Sequence, residues 1–91
     1  MLTEKVTVCN PSGLHARPAS AFVQTTGKFK SKVAIRKDGE EYNAKSIISI
    51  LRACVKYQEE VEVVVNGDDE AEALSAIVAA IKGGLGEKIL T

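Results

Sequence analysis

The stretch "GLHARPAS", Gly13 to Ser20, holds the only histidine in a chain of 91 residues. A ring nitrogen of His15 is a nucleophile that can take up and release a phosphoryl group, provided nearby positive charge steadies the phosphoryl oxygens. Arg17 offers a guanidinium two residues away. Pro18 fits only the first turn of a helix and pushes Arg17 toward extended geometry, so a helix opens between His15 and Pro18 with the histidine at its mouth. Helix N-termini expose free backbone N–H groups and a partial positive charge, which favour an anion. A lone histidine is by default structural or idle; this position raises the case for a functional one, since an imidazole beside an anion site is well placed to take up and release a phosphoryl group. The plain alternatives are a solvated surface arginine for Arg17 and a simple turn glycine for Gly13, which would otherwise allow close backbone approach.

Ser46 is a second candidate. Its plain reading is a helix N-cap; its sharper reading is a phosphoacceptor, because a helix N-terminus tolerates added negative charge. Ile47, Ile48 and Leu51 follow it. By default they pack the helix, but three large aliphatics on so short an element leave some facing outward as a docking patch. Cys9 and Cys54 show no CxxC spacing and no paired histidines, so they read as buried structural thiols of a reducing compartment, with no zinc or other metal site.

These side chains need elements to position them. "EKVTVCN" alternates as a half-buried strand, with Val6 and Val8 inward, and "NPSG" turns the chain. Ala16, Ala19, Phe22, Val23 and Thr26 recur at helical spacing up to Gly27. "KVAIR" is a second strand, Asp38-Gly39 a hairpin turn, and "EEYNA" a third strand. Ser46 caps a helix carrying Ile47, Ile48, Ile50, Leu51, Cys54 and Val55. "EVEVVVN" is the last strand, with Val61, Val63 and Val65 inward. Asp69 and Glu72 read as a capping box for a third helix with Leu74, Ile77, Val78 and Ile81 buried, ended by Gly83-Gly84.

The order βαββαβα predicts a single α+β domain over residues 1–91: an open-faced two-layer sandwich, a four-stranded antiparallel sheet with three helices on one face. A split βαβ unit puts the fourth strand between the first two and leaves Lys5, Lys32, Arg36, Glu60 and Glu62 to solvent. Twelve basic and twelve acidic residues balance, which argues against nucleic acid or an anionic membrane as partner. No segment reads as a secretion signal or membrane span, so a cytoplasmic location is expected.

"SGLHARPAS" together with "NAKSIISIL" resembles the HPr family, the histidine-containing phosphocarriers of the bacterial phosphoenolpyruvate:sugar phosphotransferase system. The similarity runs from the first strand to "GLGE" near the C-terminus. It implies that His15 is phosphorylated through Nδ1 and that Arg17 stabilises the phosphate. It also implies that phospho-enzyme I is the donor and EIIA domains of sugar transporters are the acceptors. Ser46 matches the family's regulatory serine, the target of an HPr kinase/phosphorylase, with a catabolite-control transcription factor as a further partner. Such a carrier is a covalent intermediate between enzymes rather than an enzyme, needs no cofactor, and is expected to be a monomer. The family commonly has methionines and a glycine-rich passage after Ser46, where this chain has "IISILRACVKYQEE".

Two other readings compete. One is a regulatory paralogue of the same family, nitrogen-type or catabolite-control, whose phosphorylation state is read by partner proteins. The other is a small α+β enzyme such as an acylphosphatase, which needs a phosphate-cradling loop that "NPSGLHARP" does not supply.

Overall fold

The computed structural model describes residues 1–87. The elements run β1 (Leu2–Thr7), α1 (Ala16–Thr26), β2 (Lys32–Lys37), β3 (Glu40–Asn43), α2 (Ile47–Ala53), β4 (Glu60–Asn66) and α3 (Glu70–Lys82), the βαββαβα order the sequence predicts. The sheet order is β1-β4-β2-β3, with every pairing antiparallel. β4 is therefore a central strand, and its alternation shows why it can be: Val61, Val63 and Val65 all point into the core. Register places Val61 opposite Val6 on one side and Val63 opposite Ile35 on the other.

The helices cover the face these residues share. Phe22 and Ala19 of α1, Ile50 and Ala53 of α2, and Ala73, Ile77 and Ile81 of α3 meet Val8, Leu14 and Val55 in one apolar cluster. The stripe of α3 is rotated slightly from expectation. Ala73 is buried and Leu74 only half-buried, because the small residue lets the helix sit close to the sheet. On the opposite face Arg36 reaches Glu41 at 3.3 Å and Glu62 at 3.4 Å, the exposed cross-strand pairing its position implies. The β2–β3 hairpin turns at Asp38 and Gly39, both at positive φ (53° and 80°), the geometry this dipeptide favours.

Two further expectations are corrected. Asp69 is the first residue before α3, but it does not form a capping box with Glu72. Its carboxylate turns away and accepts from Lys30 N (2.9 Å), Ser31 N (2.9 Å) and the Ser31 hydroxyl. These three donors, the Ser31 hydroxyl foremost, hold the Asp69 pKa down at about 2. The helix start is served by Glu70 instead, whose Oε1 accepts from Gly67 N at 3.3 Å. The second correction concerns the thiols. Cys9 is half-buried and Cys54 is exposed, so neither is the fully buried structural cysteine that spacing suggested.

Candidate functional site

His15 is the residue before α1, with extended backbone angles (φ −129°, ψ 162°) and no side-chain capping bond. The imidazole is half-buried at the helix mouth and has no hydrogen-bond partner among the described residues. The N–H groups of Ala16 and Arg17 have no intrahelical acceptor, and Pro18 has no N–H to offer. Two free donors thus face the end of α1 where His15 stands. Arg17 is exposed and forms no ion pair among the described residues. Ala16 carries a φ of +53°, a left-handed conformation that costs a non-glycine residue about 1–2 kcal/mol. Strain of this kind persists only where the surroundings over-determine it.

Those surroundings are unusually well tied. Gly13 has φ +61°, and a Cβ there would stand 2.3 Å from the Val55 carbonyl oxygen and 2.9 Å from Lys56 Cα. The close approach that requires glycine is therefore made by the chain's own backbone, a reason the sequence did not disclose. Leu14 N–H donates to the Val55 carbonyl at 2.9 Å, which fastens the loop before His15 to the segment after α2. That segment is itself held by Lys37. Its Nζ donates to the carbonyls of Ala53 (3.1 Å) and Cys54 (2.8 Å) and pairs with Glu59 at 3.1 Å.

On the other side, Asn10 is fully buried and Nδ2 donates to the Gly13 carbonyl at 2.8 Å and to Glu87 Oε1 at 2.9 Å. Ser12 adds N–H to Oε1 (2.9 Å) and hydroxyl to Oε2 (2.8 Å). The Asn10 side chain first, then Ser12, holds the Glu87 carboxyl below the usual range. Asn10 Oδ1 has no donor among the described residues. The amide is thus oriented by its two acceptors at the expense of its own oxygen. Sequence reasoning missed Asn10, Ser12 and Glu87 as site residues. "NPSG" looked like turn punctuation, and nothing local connects it with a glutamate 75 positions later.

Ser46 stands at the far end of α2. Its hydroxyl accepts from Ser49 N at 3.3 Å, an N-cap bond, with backbone φ −111° and ψ 119°. Beyond it Ile47, Ile48 and Leu51 are 37%, 66% and 41% exposed, a run of large aliphatics on the outer side of a helix whose inner side is Ile50 and Ala53. The structure joins this helix to the His15 loop through Val55. Ser46 lies at the other end of α2, a seven-residue helix that spans roughly 10 Å at 1.5 Å per residue. Among the described residues no three of His, Cys, Asp and Glu gather to hold a metal ion, and no helix is long and apolar enough to cross a membrane.

Comparison with known proteins agrees with this geometry. The family model described as "PTS HPr component phosphorylation site" matches residues 2–83. The HPr-like protein Crh of Bacillus subtilis is 42% identical over 82 residues, covering 90% of this chain and 96% of that protein. Phosphocarrier protein HPr of Treponema pallidum is 43% identical over 77 residues, covering 85% and 88%. A crystal structure of HPr from Thermoanaerobacter tengcongensis superposes with a TM-score of 0.94 at 42% identity, over 98% of this chain and 100% of that one. The same organism's HPr is also crystallised as a dimer (TM-score 0.75, 42% identity, 96% and 100% covered). By sequence and by fold, this chain belongs to the HPr family of phosphocarriers in the phosphotransferase system.

Proposed function

We propose that the chain accepts one phosphoryl group on Nδ1 of His15 from phospho-enzyme I and passes it to EIIA domains of sugar transporters in the cytoplasm. The observation that carries this reading is the imidazole at the mouth of α1, which with the first N–H groups of the helix and the Arg17 guanidinium has no partner among the described residues. In the transfer, the lone pair of the unprotonated ring nitrogen forms the N–P bond while the donor's bond to phosphorus breaks, its electron pair returning to the donor. The helix N-terminus and Arg17 stabilise charge on the phosphoryl oxygens throughout. Passing the group on reverses these steps against the acceptor. Ile47, Ile48 and Leu51 dock the partners, and Ser46, at the edge of that patch, is a second phosphorylation site through which an HPr kinase/phosphorylase sets partner choice.

Incubation with enzyme I and phosphoenolpyruvate, followed by intact mass, tests the core of this. One phosphoryl group, labile in acid and stable in base, is expected on the wild type and none on His15→Ala. An undiminished mass shift in the variant sinks the assignment.

The similarity to Crh, an HPr-like protein, favours a second reading in which the phosphorylation state is read by regulatory partners such as a catabolite-control transcription factor. The two separate at the acceptor: a phosphorylated chain that cannot donate to any EIIA domain is a regulator rather than a carrier.

A further inference from the structure

The C-terminal turn carries a feature that phosphoryl chemistry alone does not require. After α3, three consecutive residues take positive φ: Gly84 (87°), Leu85 (50°) and Gly86 (89°). A run of left-handed residues folds the chain back on itself, and buried Leu85 anchors the bend in the core. The result is to deliver one carboxylate, Glu87, onto the Asn10–Ser12 turn, where three donors converge on its two oxygens.

We propose that Glu87 is a positioning residue for His15. Its carboxylate clasps the turn at Asn10 and Ser12, and through the Asn10 amide it fixes Gly13, two residues before the imidazole. The proposal rests on the assignment of phosphoryl acceptance to His15. The linkage is continuous. Glu87 Oε1 accepts from Asn10 Nδ2, the same nitrogen donates to the Gly13 carbonyl, and Gly13 N–H returns a bond to the Asn10 carbonyl at 3.1 Å. Leu14 is then pinned to Val55. With both preceding residues held, the backbone of His15 has little choice but its extended angles, and Ala16 is kept in its strained conformation. Without the clasp, Asn10 keeps one acceptor instead of two, the turn is held on one side only, and the imidazole samples directions that do not face an incoming phosphorus. Misplacement of a reacting group lowers the rate of the chemical step rather than the affinity for a partner docked elsewhere.

The experiment is steady-state transfer from enzyme I, charged with phosphoenolpyruvate, to the full-length chain at varied carrier concentration. Glu87→Ala should lower kcat roughly tenfold with KM nearly unchanged, because Ile47, Ile48 and Leu51 are untouched. Glu87→Gln should restore kcat. Its amide oxygen can accept the same two N–H groups, and the Ser12 hydroxyl can turn to accept from the amide nitrogen. Ser12→Ala, which removes one of the three bonds, should fall between, and it carries the same comparison if Glu87→Ala does not fold. Wild-type kcat in both truncations, while His15→Ala accepts nothing, overturns the proposal and leaves Glu87 a staple of the C-terminal turn. A Glu87→Gln as slow as Glu87→Ala overturns it too, since charge rather than geometry would then be at work. Phosphate acceptance by His15→Ala, in contrast, refutes the His15 assignment itself.

Discussion

At the scale of single residues, Arg17 is where charge and shape can be separated. It sits in the first turn of α1, exposed and without an ion pair among the described residues, so truncating it disturbs no packing. Arg17→Ala should keep the fold and slow phosphoryl transfer. Arg17→Lys should rescue only in part, because an ammonium is a point charge and a guanidinium is a planar fork of donors. Transfer kinetics of the two variants against wild type check this, and an unslowed Arg17→Ala rules the role out. The places of His15 and Arg17 at the start of α1 were legible in the sequence because Pro18 fixes where that helix can begin. Asn10 and Glu87 were not legible, since their significance lies in a contact between the two ends of the chain.

At the scale of elements, α2 carries the most information and was the hardest to read. Its beginning was legible: Ser46 caps it as a serine should. Its end was not. Cys54 and Gln58 hold φ values of +51° and +69°, where a glycine would have announced the stop, so no sequence signal marked the turn. Lys37, from a strand, satisfies carbonyls there that a local motif often takes. The Ser46 end yields a prediction with two readouts. Ser46→Ala loses the cap bond and should cost about 1 kcal/mol in denaturation. Ser46→Asp keeps an acceptor at the cap and adds charge that the helix dipole favours, so its thermal stability should stay near wild type. A partner burying Ile47, Ile48 and Leu51 must nevertheless desolvate that carboxylate, and enzyme I should phosphorylate Ser46→Asp poorly. True phosphoserine, with about 1.5–2 negative charges, should act more strongly. Wild-type transfer in Ser46→Asp returns Ser46 to a capping role alone.

At the scale of the whole molecule, the sandwich and its strand order were readable because β2 and β4 set alternate residues into the core and the helices turn apolar residues toward it. The tertiary bonds of the carboxylates were not, and they govern behaviour in acid. Asp69 ties the start of α3 to the loop before β2, and Glu59, Glu70 and Glu87 also have pKa values shifted downward by hydrogen bonds. A carboxylate whose pKa falls on folding stabilises the native state above its unfolded value, and that contribution fades as pH drops through the folded one. For Asp69 the window runs from 3.8 down to about 2. Asp69→Asn should therefore melt below wild type at neutral pH, and the gap in Tm should narrow as pH falls through that window. A gap that is constant with pH would show that the carboxylate's charge is irrelevant to the Lys30–Ser31 contact.

The fastening of the His15 loop also bears on how the molecule comes into being. Its anchors are Val55, the Gln58–Glu59 pair that brackets Val8, and Glu87. During synthesis His15 is made before all of these supports, and β1 must wait for β4 before it has a neighbour. Such long-range closure is slow and comes late in folding. The loop that carries His15 is therefore held in its folded geometry only after β4 and the turn beyond α3 have been made.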